Sequence, residues 1–270
     1  VTNTALLNAG SQFRASGDGP YIPGPSSFEL PAVFEVAGLG VTKPMLLLAL
    51  SVVLIAGFFA ASARPAAVVP GRLQFAGEYV YGFVRGLARD NIGSDQFKPY
   101  MPILFSFFTF ILANNYYGLV PVLQFPSAAR IGFPVALALC AWLLYNGAGI
   151  RKHGFFGYLK LQTVPSGIKG PVLALLIPLE FVSNILVRPL TLALRLFATM
   201  FAGHLLLILF SMGSHYLMFD KGGLHILSGL GSGVMFLLIS VLEVLIMFLQ
   251  AYVFTLLTAI YVGGAIADEH

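Results

Sequence analysis

Long apolar runs joined by short polar segments set the pattern along this chain. The first run, Pro44 to Ala63 (PMLLLALSVVLIAGFFAASA), carries no charge and has the roughly 20-residue length that crosses a bilayer core. Residues 64 to 98 are mixed, with Arg64, Arg72, Glu78, Arg85, Arg89, Asp90, Asp95 and Lys98 among Phe75, Tyr79, Val80, Phe83 and Val84. Such mixing predicts a helix lying in the membrane interface. A second crossing is expected from about Met101 to Leu119 and a third from about Gly132 to Ile150, joined by the turn Pro121 to Arg130 as an antiparallel hairpin. After a basic loop (Arg151, Lys152, Lys160, Lys169), one apolar stretch runs from Pro171 to about Phe219 and another from about Leu224 to Ala267.

A continuous helix over the first of these last stretches would be roughly 73 Å long against a hydrocarbon core of about 30 Å. It cannot stand upright. Pro178, Pro189 and Gly203 offer kinks, but no polar loop interrupts the stretch, so steep tilt is favoured over two hidden spans. The predicted fold is an all-α polytopic membrane protein. An N-terminal extension occupies 1–40 and a membrane-embedded region 41–270. Within the latter lie an upright helix at 43–63, an interfacial helix at 70–92, a hairpin at 99–150 and a hairpin of long tilted helices at 171–267.

Composition strengthens this reading: 58% of residues are hydrophobic and 10% charged, whereas soluble chains carry about 25% charged residues. Mean hydropathy is +0.87. The net charge of +4 does not point to nucleic acid, because the basic residues sit in loops and form no aromatic-interleaved patch. They report topology instead, placing the Arg64 to Lys98 and Arg151 to Lys169 segments on one side, with the two termini on opposite sides. Cys140 is the only cysteine and lies inside an apolar run, which excludes a disulfide framework. The chain begins at Val1 without a signal-peptide core; a processed start and an arbitrary one fit that equally.

Ionisable groups inside a membrane are costly and point to function. Glu180, Arg188, Arg195, His204 and Glu243 stand out, with Asn184 and Gln250 beside them. Arg188 and Asn184 also have plain structural readings, as a snorkelling cation and an interhelical hydrogen-bonding amide. Arg195, deep in TLALRLFATMFAGHLLLILF, lies beyond snorkelling reach of a helix end. If the last two stretches form an antiparallel hairpin turning at Gly222-Gly223, facing residues have numbers summing to about 445. Arg195 with Gln250 gives 445, and His204 with Glu243 gives 447. Glu243 and Gln250, seven apart, share one helix face, whereas Arg195 and His204, nine apart, point to opposite faces. The pattern suggests one polar cluster facing a partner and another lining an aqueous path. Histidine suits proton relay because its pKa lies near neutrality, and two candidate ligands are too few for a metal site.

These residues carry a resemblance. PLTLALRLFATMFAGHLLL resembles the signature of the subunit a family of F-type ATP synthases, with an arginine after an apolar-small-apolar run and Gly203 eight residues later. VLIMFLQAYVFTLLTAIYV is similar to that family's last helix, MPILFSFFTFILANNYYGLVP to the start of its helical hairpin, and HGFFGYLK with GPVLALLIPLEFVSNILVRP to the approach to the signature. The similarity spans roughly residues 98 to 270.

The resemblance implies a proton-translocating stator of the F0 motor, lying against the rotating c-ring and offering two aqueous half-channels. Arg195 matches the family's essential arginine, which separates the half-channels. Gln250 would orient it, and His204 with Glu243 would serve one half-channel in an arrangement seen in mitochondrial relatives; in bacterial ones the two types are often exchanged. Glu180 would serve the other half-channel, with Asn184 and Ser183 as polar neighbours and Arg188, Thr199 and Tyr252 in supporting positions. Thr199 stands where many members have asparagine, and the spacing from Glu180 to Pro189 is one residue longer than usual, an insertion of the kind that forms a π-bulge. Implied partners are the c-ring, the peripheral stalk and other F0 subunits, the lipid bilayer and protons, without nucleic acid, cofactor or metal. The chain itself would do no chemistry on ATP. The expected site is the mitochondrial inner membrane with the C-terminus on the matrix side, and a bacterial plasma membrane is second. Alternatives are a self-contained secondary transporter or channel, which usually carries repeats, and a quinone or haem subunit, which needs facing histidines.

Overall fold

A computed structural model describes residues 32–36, 39–63, 71–120, 127–163, 172–221, 223 and 225–267. Most of the N-terminal extension, residues 121–126, Arg64 and Lys169 lie outside the described residues. A short antiparallel pair, β1 (Ala32–Val36) and β2 (Leu39–Thr42), leads into the helical bundle. Helix α1 spans Lys43–Ser62, with Pro44 in its first turn, where a missing N–H costs nothing. Helix α2, Arg72–Ile92, is amphipathic: Val84, Leu87, Ala88 and Ile92 are buried at helical spacing, while Arg72, Glu78, Arg85, Arg89 and Asp90 are exposed.

Helix α3 covers Met101–Tyr116 and α4 covers Gly132–Thr163, preceded by a short 3-10 turn at Ser127–Ala129. The third crossing therefore continues through the segment expected to be a loop after Ile150. It changes direction at Gly154, whose φ of 72° is a conformation that favours glycine, and Arg151, Lys152 and Lys160 ride on helix. Helix α5 (Val172–Val182), a π-turn (Ser183–Val187), helix α6 (Arg188–His215) and a second π-turn (Tyr216–Lys221) follow one another without a loop. Helix α7, His225–Ile266, closes the fold.

Among the described residues four helical segments are long and apolar enough to cross a membrane: Pro44–Ser62, Gly132–Thr163, Leu175–Phe219 and His225–Ile266. Met101–Tyr116 is a shorter apolar helix. This is a helical, multi-pass membrane protein. The 45-residue segment Leu175–Phe219 and the 42-residue α7 would be about 68 and 63 Å long if straight, twice the bilayer core. Both must tilt steeply to stay within it.

Helices α6 and α7 form the antiparallel hairpin that the spacing predicts, with Gly223 at φ 61° in its turn. Small residues let the two backbones approach closely. Ser214 Oγ donates to Gly229 O at 2.9 Å and Ser232 Oγ to Phe210 O at 2.9 Å. Every pair matches the register anticipated for a turn near Gly222-Gly223. The C-terminal half of α7 packs into a core shared with α2, α3, α4 and α6, built on Leu104, Phe108, Tyr145, Leu196, Met247 and Phe254.

The basic ends gather on one side. Lys152 Nζ donates to Ile266 O at 2.5 Å, and Gly263 of α7 abuts the Asn91 carbonyl of α2. Leu47, Tyr117 and Ala129 cluster with Phe201 and Leu205 at the other end.

Candidate functional site

The intramembrane polar residues fall into three places along the α5–α6–α7 path. The first surrounds the π-turn at Ser183–Val187, where the Arg188 N–H reaches Ser183 O five residues back. Such a turn takes up one residue more than a regular α-helix would over the same length, as the spacing from Glu180 to Pro189 suggested. Asn184 is buried, and its Nδ2 donates to Glu180 Oε2 at 3.1 Å and to Gln162 O at 2.7 Å. Ser183 contributes its backbone carbonyl. Arg188 sits over the Tyr261 ring, 5.1 Å from its centroid, a cation–π contact that favours keeping the charge in an apolar setting.

Helix α4 supplies polar partners that the sequence reading did not single out. Trp142 Nε1 donates to Ile185 O at 2.9 Å, and Tyr145 OH to Asn184 O at 3.4 Å. Gln162 Nε2 donates to Tyr158 OH at 2.7 Å, and Tyr158 OH to Asn146 Oδ1 at 3.0 Å. The Tyr158 ring lies against Gly149, where a Cβ would collide with it. Tyr158 and Gln162 escaped notice because their segment was read as loop. An amphipathic continuation of the helix past Gly154 was the available signal.

The second place lies inside the α6–α7 hairpin. Glu243 is only 2% exposed and packs on Gly203, whose missing side chain makes room: a Cβ there would lie 2.5 Å from Glu243 Cδ. His204, the next residue, is buried as well. Glu243 Oε1 has no hydrogen-bond partner among the described residues. Four residues along α7, Met247 O accepts from Asn115 Nδ2 at 3.4 Å, and the neighbouring Asn114 Oδ1 accepts from Ser51 Oγ at 3.1 Å. The adjacent asparagines Asn114 and Asn115 in an otherwise apolar α3 were a legible signal, since amides at that depth bond across helices.

Arg195 marks the third place. It is exposed on α6, beside exposed Leu194 and Ala198, while Leu192, Ala193, Leu196 and Met200 are buried on the other side. The opposite orientation of Arg195 and His204, expected from their spacing, is visible in this burial. Gln250 is buried on the same face of α7 as Glu243. Among the described residues, however, no hydrogen bond joins Gln250 to Arg195, and Gln250 Nε2 has no partner. The reason is geometric: Gln250 is turned inward and the Arg195 side chain outward. Thr199 Oγ1 bonds back to Arg195 O at 2.8 Å, so its hydroxyl serves its own helix. Tyr252 packs on Phe83 of α2 with centroids 5.8 Å apart.

The family described as ATP synthase A chain matches residues 45–263. The chain is 57% identical over 267 residues to the ATP synthase subunit a of Nocardioides sp., covering 95% of this chain and 96% of that one. It is 48% identical over 255 residues to the ATP synthase subunit a of Pseudarthrobacter chlorophenolicus, covering 92% and 94%. Identity to the ATP synthase subunit a of Rhodococcus erythropolis is 39% over 253 residues, covering 93% and 92%. These relatives are bacterial, and the expected mitochondrial location has no support among them.

Proposed function

Since this chain belongs to the ATP synthase A chain family, the proton-translocating subunit of F0, we propose that it gates proton transfer at a c-ring through Arg195. The observation carrying this reading is the exposure of Arg195 on an apolar helix face, with no hydrogen-bond partner for its side chain among the described residues. A charge at that depth costs about 2.5–3.5 kcal/mol or more when unpaired. A partner bringing a carboxylate to it removes that cost.

The exposed apolar residues of α7, including Leu242, Leu245 and Leu249, extend the same open surface. A c-ring seated there would present its carboxylates to Arg195 one at a time. The fixed positive charge favours release of the proton from each arriving carboxyl. Arginine cannot relay that proton itself, because its pKa exceeds about 12. It therefore stands between two routes and blocks a direct leak.

Two aqueous half-channels serve the ring in this reading. Glu180, Asn184 and Ser183 line the one opening toward the basic ends of the helices, with Arg188 beside it. His204 and Glu243, supported by Asn115, line the other, and Gln250 moves outward to Arg195 when the ring docks. The peripheral stalk and other F0 subunits complete the assembly. The membrane is the bacterial plasma membrane, with the C-terminus cytoplasmic, in keeping with the bacterial relatives. ATP chemistry belongs to the soluble partner complex.

ATP-driven acidification of vesicles carrying the assembled complex tests the gate. Arg195→Ala should abolish pumping while the complex still assembles, with passive proton leak persisting or rising. Unchanged pumping by this variant would remove Arg195 from the mechanism and return the transporter alternative.

A further inference from the structure

A π-turn adds one residue to a helix and rotates everything beyond it by about 100° relative to a regular one. In an uninterrupted α-helix Arg188, eight residues after Glu180, would lie about 80° around the axis from it. With one residue taken up by the Ser183–Val187 turn, the offset falls to about 20°. Arg195, seven residues beyond Arg188, adds about 20° more in the same sense. The turn thus aligns Glu180, Arg188 and Arg195 in one stripe, with two helical turns between successive members.

This turn leaves two carbonyls without their usual donors. Arg188 N–H goes to Ser183 O rather than Asn184 O. Ile185 O would be served by the residue four positions on, but that is Pro189, which has no N–H. The same two carbonyls receive the side chains of α4: Tyr145 OH donates to Asn184 O and Trp142 Nε1 to Ile185 O. Tyr145 is fully buried, and a buried carbonyl without a donor is costly.

We propose that Trp142 and Tyr145 are positioning residues for proton transfer. By satisfying the two carbonyls orphaned at Ser183–Val187, they hold the inserted residue in place and keep Glu180 in line with Arg188 and Arg195. The proposal rests on the reading of Glu180 as part of a proton route. The titratable or charged groups around it are Arg188 on its own helix path, Tyr145 and Tyr158 from α4, and Tyr261 from α7, which meets both Arg188 and the Tyr145 ring. Asn184 and Gln162 are neutral neighbours.

The test uses the holoenzyme in inverted vesicles, where ATP hydrolysis draws protons from the outer medium through the Glu180 side. Pumping is measured over a series of external pH values and normalised to uncoupled hydrolysis in the same vesicles, which separates the maximal rate from the proton concentration at half-maximal rate. Trp142→Phe keeps the ring and removes the indole donor. It should raise the half-saturating proton concentration about three- to tenfold, the worth of one hydrogen bond, with maximal rate within twofold of wild type. Deleting Leu186, an exposed residue of the turn, should shift half-saturation in the same direction, and Trp142→Phe should add nothing to it.

An unchanged half-saturation in Trp142→Phe, or a lower maximal rate at unchanged half-saturation, overturns the proposal. So does a multiplicative loss in the double variant. Glu180→Gln, measured alongside, distinguishes the two levels. If that variant leaves the proton dependence intact, the route through Glu180 fails; if it alters the dependence while Trp142→Phe does not, only the positioning role fails.

Discussion

Gly203→Ala is the most direct probe of the pocket that holds Glu243. The added Cβ would lie 2.5 Å from Glu243 Cδ and 2.5 Å from Oε1, and closer still to Oε2. Carbon–carbon contact is optimal near about 3.5–4.0 Å, so the carboxylate must move by an ångström or more. Because Glu243 is 2% exposed, it moves either into neighbouring side chains or outward with a displaced α7. Overpacking of this kind costs about 1–3 kcal/mol. If that cost falls on the conformer with the carboxylate against residue 203, its population drops about 5- to 150-fold, since 1.4 kcal/mol is a factor of ten.

ATP-driven pumping should fall by a comparable factor if proton delivery through this pocket limits the rate. Immunoblotting of the assembled complex should find subunit levels close to wild type, because the Ser214, Ser232 and Gly229 contacts that knit the hairpin lie elsewhere. Glu243→Asp in the Gly203→Ala background shortens the acid by one methylene and should recover part of the loss. Gly231→Ala is the control on α7, since a Cβ there meets nothing within 4 Å. Pumping by Gly203→Ala within twofold of wild type would refute the idea that the Gly203–Glu243 fit matters to transfer.

The other predictions concern packing and charge. Gly263→Ala should destabilise the fold by about 1–3 kcal/mol, because its Cβ would meet the immovable Asn91 backbone, with the carbonyl carbon 3.2 Å away; a lower melting temperature in detergent reads this out, and Gly264→Ala, with open space around it, should not show it. Arg188→Lys should weaken the contact with Tyr261 by about 0.5–2 kcal/mol, visible as reduced thermal stability with the positive charge retained. Ser51→Ala removes the hydroxyl that donates to Asn114 Oδ1 and should cost about 0.6 kcal/mol with pumping unchanged. A pumping loss in that variant would place the α1–α3 contact in the proton route.

Hydrophobic pattern alone determined the crossings, the amphipathic α2 and the impossibility of upright final helices, because bilayer thickness fixes how much apolar length can stand in it. It also fixed the register of the α6–α7 hairpin, since a glycine turn and antiparallel geometry leave one free number, and Gly203 does meet Glu243. The extra residue before Pro189 was legible as a π-turn. What the sequence could not decide was where that turn's orphaned carbonyls find donors. Trp142 and Tyr145 lie about 40 residues upstream on another helix, and no local pattern reports a contact set by how two helices cross. The same holds for Gln250 and Arg195: their numbers pair them across the hairpin, yet burial turns one inward and the other outward. Register is a property of spacing along the chain, whereas side-chain direction depends on which face each helix gives to the rest of the bundle.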